Sequence, residues 1–278
     1  LDKDIYGVKI KTNDHIYDYN FFYKRKIPFE ILDSVVTKFI EYAPNTYIAI
    51  FWPIGEGGCT NALKNIPNII YKKKIKLNPN GAHNLLSQVY YREEWIGRVD
   101  DNFKGSNGKL IECFKTFDSF EIVAFQAENL SNVLEIKEKI RQFFNVGKHS
   151  VHITDSKEEA IRLSRLVFND NSIHFLNYAK PNIYSSSHDK IKEFKKFIKS
   201  NNVDSSNTLI DSSLVLSLYG IREANDTDFL CVDRIKILNT FNDINAHDEE
   251  LKYYDSNKDE LIYNPENYFY FNDIKFLS

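Results

Sequence analysis

The chain has 278 residues, which is enough for one large domain or two ordinary ones. Its 42% hydrophobic and 27% charged residues are typical of a globular protein. A net charge of −3, with only short lysine runs at residues 72–74 and 195–196, excludes a dedicated nucleic-acid-binding surface, and no apolar run approaches the roughly 20 residues that cross a bilayer.

Helices and strands are predicted to alternate from residue 28 to about residue 180. Apolar residues recur at helical spacing after Pro28, which suits a first helical turn. Residues 46–52 form an unbroken apolar run of strand length, ended by the glycine-rich residues 55–58. The predicted order is helix 28–42, strand 46–52, strand 120–125, helix 132–144, strand 150–153, helix 156–168 and strand 173–176. This alternation predicts a mixed α/β fold with helices packed on a sheet.

The best candidate for an interdomain linker is the segment 181–189, which contains Pro181 and a run of three serines. An amphipathic helix is predicted after it, at residues 189–199. We therefore predict an N-terminal α/β domain, residues 1–182, and a second domain, residues 183–278. The chain begins at Leu1 and contains no Met, so we expect it to be a piece of a longer multidomain protein.

The segment 209–232 carries the strongest chemical signal. A short apolar run leads into Asp211-Ser212-Ser213, which is typical of a helix start, and Gly220 suits the left-handed residue that ends a helix. Asp226-Thr227-Asp228 follows and leads into an apolar strand at residues 229–232. Side chains two residues apart on a strand point to the same face, roughly 7 Å apart. The two carboxylates are therefore predicted to bind one hard cation such as Mg²⁺.

The residues around this acidic pair predict phosphate binding. A helix that begins near Ser212 offers free backbone N–H groups to a phosphate. Arg222, which lies between the helix and the acidic pair, would add a bidentate contact to the same group. The combination predicts a site that holds and neutralises a polyphosphate or phosphodiester.

At these residues the chain resembles the nucleotidyltransferase superfamily, in which Gly-Ser or Ser-Ser at a helix start precedes an Asp-x-Asp on the next strand. In spacing it is similar to the phosphocholine-transferase branch that decorates bacterial surface polysaccharides, where an Arg also precedes the acidic pair. The resemblance implies a nucleotidyltransferase-like domain with a short mixed sheet. It also implies that Ser212 and Ser213 contact donor phosphates and that Asp226 and Asp228 are catalytic ligands of Mg²⁺ or Mn²⁺.

Two further features of the sequence are compared with this family pattern. Ser212 stands where the family usually has Gly. The family also implies a third catalytic carboxylate on a later strand, for which the candidates are Asp273, in the predicted strand 268–276, and a residue near Asp248.

Three residues outside the segment are candidate substrate contacts. Lys148 and His149 stand before a predicted strand and a capped helix, where they would meet an anionic ligand. His149 and His152 lie three residues apart, which on a strand puts them on opposite faces and excludes a shared metal. His247 lies in a polar loop after the acidic pair, where it would assist the chemistry.

Cysteine usage bears on the compartment. The three cysteines, Cys59, Cys113 and Cys231, are odd in number and show no Cys-x-x-Cys spacing, so we predict free thiols in a reducing, cytoplasmic environment. The first residues do not have the pattern of a signal peptide, so we expect none in this sequence.

Together these features predict a metal-dependent transferase. It would move a nucleotide or a phosphoryl-linked group from a nucleotide-activated donor to a sugar or glycan hydroxyl, and the resemblance places such an activity in bacterial capsule or lipooligosaccharide biosynthesis. A nucleotide-sugar glycosyltransferase, where an Asp-x-Asp also binds metal, is one alternative. The other is a non-catalytic acceptor-binding or scaffolding module of a multidomain enzyme.

Overall fold

A computed structural model describes residues 9–11, 16–18, 29–54, 59–232 and 241–278. The glycine-rich residues 55–58 lie outside this described part. The chain divides into two compact units: the first unit comprises Leu1–Ala82 and Gly108–Phe168, and the second unit comprises His83–Asn107 and Asn169–Ser278. Helices and mixed sheet are both present, which confirms the mixed α/β class. None of the helices in the described ranges is long and apolar enough to cross a membrane.

Up to residue 168, the described part of the chain contains six strands and six helices. Two of these helices, Pro79–Val89 and Gly105–Cys113, include the residues at which the chain passes from one unit to the other. The elements are β1 (Lys9–Lys11), β2 (Ile16–Asp18), α1 (Phe29–Tyr42), β3 (Thr46–Phe51), α2 (Cys59–Leu63), β4 (Ile69–Ile75), α3 (Pro79–Val89), α4 (Gly105–Cys113), β5 (Phe120–Gln126), α5 (Leu130–Phe144), β6 (Val151–Ile153) and α6 (Lys157–Val167). β1 and β2 pair with each other, and the described antiparallel sheet of the first unit has the order β4-β5-β3-β6.

Strand β3 is buried on both faces, as its unbroken apolar run predicted. Tyr47, Ala49 and Phe51 belong to a core that includes residues of α5. The alternate residues Ile48 and Ile50 are also fully buried, and α6 contacts β3 and packs against α1. The sheet therefore carries helices on both faces.

The second unit contains a mixed sheet and its covering helices. Its elements from residue 169 onward are α7 (Asp170–Tyr178), α8 (Ser186–Ser200), β7 (Thr208–Ile210), α9 (Ser212–Leu218), β8 (Thr227–Cys231), β9 (Ile244–Ala246), α10 (Lys258–Tyr263), β10 (Tyr268–Phe271) and β11 (Ile274–Leu277). The described strands have the order β10-β11-β7-β8-β9. β11 is parallel to β7 and β9 is parallel to β8, whereas the other pairs are antiparallel. This is the short mixed sheet that the family resemblance implied.

The alternation of side chains places two cores on this sheet. Ile210 and Phe229 belong to a core that includes residues of α7, α8 and α9. Leu209 and Leu230, one residue away on each strand, belong to a second core with α10. Each residue of β7 and β8 can thus be assigned to one face or the other.

The prediction of a strand at residues 173–176 is wrong, because these residues lie in helix α7. The Asn169 side chain accepts a hydrogen bond of 2.7 Å from the backbone N–H of Ser172 and so starts the helix. A short apolar run is compatible with a buried strand or a buried helix, and here the cap before it decides between them.

The division of the chain into these two units differs from the single domain boundary that the sequence predicted near residue 183. Helix α7 belongs to the second unit because the buried Phe175 ring stacks on Phe269, with ring centroids 4.4 Å apart. The segment His83–Asn107 belongs there too, and the Asn84 side chain donates to the carbonyl oxygens of Leu176 and Ala179 at 2.8 and 3.1 Å. The segment 181–189 is not an open linker, since Ser187 is fully buried.

The lysine run at residues 72–74 lies on β4, an edge strand of its sheet, but it is not wholly solvated. Lys74 is exposed, whereas Lys73 is buried and forms an ion pair with the buried Asp33. Tyr71 Oη also donates to Asp33, at 2.6 Å. A strand with one covered face buries alternate residues whatever their charge, and the charge then requires a partner.

Candidate functional site

The acidic pair and the predicted helix start meet at one edge of the mixed sheet. β8 runs antiparallel to β7, with Ile210 opposite Phe229, so β8 begins beside the point where β7 ends. β9 is parallel to β8, with Asn245 opposite Asp228, and therefore begins at the same edge. We call the group Asp211, Ser212, Ser213, Asp226, Asp228 and His247 the acidic edge.

Asp226 and Asp228 are held by different neighbours. The Ser213 hydroxyl donates to Asp226 Oδ1 at 3.0 Å. The backbone of β8 is fixed to β7 by the hydrogen bond from Asp211 N–H to the Asp228 carbonyl, at 3.1 Å. Asp226 lies in the bend just before β8, not on the strand as predicted.

The carboxylates of the acidic edge act on one another electrostatically. Burial raises the pKa of Asp228, and the negative charges of Asp226 and Asp211 raise it further. The charge of His247 and a hydrogen bond from the Asn245 side chain oppose this rise without cancelling it. The ionised pair is thus held together against mutual repulsion, which a bound cation would relieve.

Ser212 adopts the backbone conformation that glycine favours. Its φ is 55°, in the left-handed region. Most other non-glycine residues of the described chain with positive φ are Asn or Asp, which tolerate this region better than Ser. Gly would adopt this conformation at position 212 without a Cβ penalty.

We expect Ser212→Gly to raise the free energy of unfolding by about 1 kcal/mol, because it removes the cost of a left-handed residue with a Cβ. Urea unfolding measures this change. Ser213→Gly is the matched control: Ser213 lies inside helix α9, so glycine there should lower stability by about 1 kcal/mol. Loss of stability in both variants would contradict the strain assigned to Ser212.

Asp211 is a fully buried carboxylate with two side-chain donors. His247 Nδ1 lies 3.1 Å from both Asp211 oxygens, and Tyr254 Oη donates to Asp211 Oδ2 at 2.8 Å. The Ser212 hydroxyl is 3.3 Å from the same His247 nitrogen. Burial disfavours the charged form of His247, but the hydrogen bond and charge of Asp211, with the charges of Asp228 and Glu250, raise its pKa overall.

The predicted phosphate contacts are altered by this geometry. Helix α9 has only seven residues, so its N-terminal N–H groups add little to an anion site. The Ser213 hydroxyl proton is engaged by Asp226, which makes Ser213 an orienting residue for that carboxylate. Arg222 is exposed in the bend after Gly220.

Asp273 is not brought to the acidic edge. Asn272 and Asp273 both have positive φ, at 47° and 62°, and they form the two-residue turn between β10 and β11. β11 is parallel to β7, with Phe276 opposite Ile210, so the turn lies at the end of the sheet remote from Asp211. The predicted single strand 268–276 is therefore a hairpin.

Of the residues near Asp248, Asp248 itself pairs with Lys258 Nζ at 2.9 Å, whereas Glu250 lies near enough to His247 for its charge to raise the pKa of that histidine. The residue opposite Asp228 on the adjacent strand is Asn245. An amide there accepts and donates hydrogen bonds but carries no charge.

Lys148 and His149 lie in the first unit, in the short helical turn Gly147–His149. Lys148 is exposed, and His149 Nδ1 contacts Lys109 Nζ and Glu112 Oε2, each at 3.0 Å. Burial lowers the pKa of His149, and the positive charge of Lys109 lowers it further. This arrangement is a local polar cluster of the first unit.

Sequence reasoning missed the roles of Asp211, Tyr254 and Asn245. Asp211 was interpreted only as a helix cap, and its side chain makes no capping hydrogen bond. Its distance from His247 and Tyr254 along the chain is 36 and 43 residues, so no local spacing links them. The only available signal was a carboxylate directly before the Ser-Ser pair.

The structure thus brings Ser212, Ser213, Asp226, Asp228 and His247 together, and leaves Asp273 outside the group. No protein-family model, no curated protein and no solved structure matches this chain.

Proposed function

We propose that the second unit is a metal-dependent transferase that moves a nucleotide or a phosphoryl-linked group from a nucleotide-activated donor to a sugar hydroxyl. The observation that carries the proposal is the convergence at one sheet edge of Asp226 and Asp228 with the Ser212-Ser213 helix start. The left-handed Ser212 supports it, because its backbone takes a conformation that Gly favours, and Gly is the residue that the resemblance implies at this position.

The donor set of the acidic edge suits a hard divalent cation. Asp226 and Asp228 would hold Mg²⁺ or Mn²⁺. Burial raises the pKa of Asp228 and the charges of Asp226 and Asp211 raise it further, and such an ion would offset that negative charge. Among the described residues no group of three or more His, Cys, Asp or Glu side chains is arranged to hold a metal. Mg²⁺ commonly completes its shell with water and substrate phosphate oxygens. When bound, the ion would neutralise charge on the leaving phosphate and orient it for in-line attack.

The protein's own residues have separable tasks in this proposal. Ser213 orients the Asp226 carboxylate through its hydroxyl. Ser212 holds the turn between β7 and α9 in the shape that lets the donor phosphates approach the backbone. Arg222, exposed in the bend before the acidic pair, is free to turn toward a phosphate and form a bidentate contact.

A second candidate is a non-catalytic module that binds an acceptor or acts as a scaffold. Asn245 favours it, because an uncharged amide stands beside Asp228 where the family pattern leads one to look for a third carboxylate. This candidate predicts neither turnover nor a Mg²⁺-dependent response to nucleotides.

A thermal-shift screen of CTP, CDP-linked compounds, UDP-sugars and ATP, each with and without Mg²⁺, tests the proposal. We expect one donor class to stabilise the protein only with Mg²⁺, and Asp226→Ala to remove that response. Ser213→Ala should weaken it, whereas a glycosyltransferase reading predicts no dependence on Ser213.

Asp273→Asn is the matched control for these variants. It removes a carboxylate of the same unit at the remote end of the sheet, and Asn tolerates the positive φ at that position. Its nucleotide response should equal that of the unmodified protein. If Asp226→Ala and Asp228→Ala both keep every ligand response, the proposed function is wrong.

A further inference from the structure

The tautomer of His247 is set by Asp211. A carboxylate only accepts hydrogen bonds, so the ring nitrogen that faces both Asp211 oxygens at 3.1 Å must carry a hydrogen. The alternative tautomer would direct the Nδ1 lone pair at a buried carboxylate, which is repulsive. The Ser212 hydroxyl, 3.3 Å from the same nitrogen, can only accept from it.

The Asp211 carboxylate is itself fixed in place. It is fully buried and receives the 2.8 Å hydrogen bond from Tyr254 Oη on Oδ2. The His247 backbone is also held, since its N–H donates to the Phe229 carbonyl of β8 at 2.9 Å. The orientation of the His247 ring is therefore set both by its contact with Asp211 and by the backbone hydrogen bond to Phe229.

The second ring nitrogen of His247 is left for chemistry. With hydrogen on Nδ1, the neutral ring has its lone pair on Nε2. The His247 side chain is 25% exposed, whereas Asp211 is 0% exposed, so a ligand at the acidic edge can reach the imidazole but not the carboxylate behind it. A buried carboxylate behind an accessible imidazole is the arrangement that makes histidine an effective base, because it stabilises the imidazolium that forms.

We propose that His247 is the general base that takes the proton from the acceptor hydroxyl, and that Asp211 and Tyr254 are its positioning residues. This inference rests on the proposed transferase function. The proton acceptor, His247, lies 36 residues from Asp211 in the chain. The residue opposite Asp228 on the neighbouring strand is Asn245, which is not a carboxylate.

The step balances within the site. The acceptor O–H bond breaks and its proton moves to His247 Nε2, while the oxygen forms a new bond to phosphorus. The bond from phosphorus to the leaving phosphate oxygen breaks, and that oxygen keeps the electron pair. Imidazolium then returns its proton to solvent.

The charged and titratable groups around the imidazole are Asp211, Tyr254, Asp228 and Glu250. Three are carboxylates, and together they raise the pKa of His247 against the effect of burial. A base with a pKa near the working pH is the more effective proton acceptor.

The first test is heteronuclear NMR of the imidazole in the whole chain without ligand. We expect the Nδ1–H tautomer, and we expect Asp211→Asn to lower the pKa of His247 measured by titration. Tyr254→Phe should change the pKa of His247 by less than Asp211→Asn does. An Nε2–H tautomer in the unmodified protein, or a pKa of His247 unchanged by Asp211→Asn, overturns the inference. His152, whose Nε2 faces Glu159 Oε1 at 2.9 Å, gives the opposite tautomer as an internal reference.

The second test is turnover. Each nucleotide of the binding screen is incubated with Mg²⁺ and with water or excess glycerol as the hydroxyl acceptor, and products are followed by phosphorus NMR. His247→Gln is expected to bind the donor normally and to lose roughly 10²–10⁴-fold in rate. Asp211→Asn should lose rate and shift the pH profile, and Tyr254→Phe should lose about tenfold. Added imidazole should restore part of the rate of His247→Ala, and His152→Gln should retain full rate.

The outcomes separate this inference from the proposed function. Normal turnover by His247→Gln, or loss of donor binding equal to its loss of rate, means that His247 is not the base, while the transferase stands. If no nucleotide binds, or if binding survives in Asp226→Ala and Asp228→Ala, the proposed function fails and the inference with it. Binding without turnover in the unmodified protein keeps the ligand site but overturns the inference.

Discussion

Asp228→Asn is expected to raise the thermal midpoint of the ligand-free protein and to abolish its response to Mg²⁺ and nucleotide. The ionised Asp228 carboxylate is opposed by burial and by the charges of Asp226 and Asp211, so a neutral amide removes a repulsion from the fold. A ligand at a hundred times its Kd stabilises a protein by about 2.7 kcal/mol, or roughly 5–10 °C for a chain of this size. That whole shift should disappear.

The opposite signs of the two effects make this experiment informative. Differential scanning calorimetry in EDTA measures the first effect, and the same scan with Mg²⁺ and the responding nucleotide measures the second. Asp248→Asn is the matched control, because its carboxylate pairs with Lys258 and gains from that contact. The control should not raise the midpoint and should keep the ligand shift. An Asp228→Asn variant that melts lower in EDTA and keeps the ligand shift would contradict the role given to Asp228.

Phe175→Ala is expected to destabilise the second unit by about 3–5 kcal/mol, as the loss of a large buried aromatic side chain does. Phe175 is fully buried and stacks on Phe269 at 4.4 Å, with the Tyr219 ring edge-on at 5.5 Å. Tyr178→Ala, on the same helix, is the control: Tyr178 is 62% exposed, so its loss should cost less than 1 kcal/mol.

The two tryptophans allow each unit to be followed separately during urea unfolding. Trp52 belongs to the first unit and Trp95 to the second. In a Trp52→Phe background, Phe175→Ala should lower the transition that Trp95 reports. In a Trp95→Phe background, Trp52 reports the first unit. If Phe175→Ala moves the Trp52 transition and leaves the Trp95 transition unchanged, helix α7 belongs to the first unit and the division of the chain at residue 169 is wrong.

Local patterns were sufficient wherever one residue's neighbours in the chain decide its structure. Ser156 starts α6 by accepting from the Glu159 N–H at 3.3 Å, at the residue where the helix 156–168 was predicted to begin. Gly220 has a φ of 73°, as expected for a residue that follows a helix end. Strands β3, β5 and β6 lie within one or two residues of their predicted bounds, because their apolar runs have strand length.

Local patterns failed where a distant contact decides. Residues 173–176 have the composition of a strand, but a cap at Asn169 and the aromatic core of the second unit make them helical. Lys73 is a residue type that usually lies on the surface, but the alternation of side chains along β4 directs it inward to Asp33. Asp273 is an acidic residue in an apolar segment, and the positive φ of Asn272 and Asp273 turns that segment into a hairpin.

For the acidic edge, the sequence by itself determined the order of the chemistry-bearing residues: a Ser-Ser helix start, a short helix ended by Gly220, and Asp226 with Asp228 at the next strand. Their spacing is local, so helix and strand periodicity could predict it. Only the tertiary structure decided that Asp211, His247 and Tyr254 share one hydrogen-bonded group. Asp211 follows β7, whereas His247 and Tyr254 flank one helical turn 36 and 43 residues further along the chain. The pairing of β7, β8 and β9 brings these two parts of the chain to the same edge.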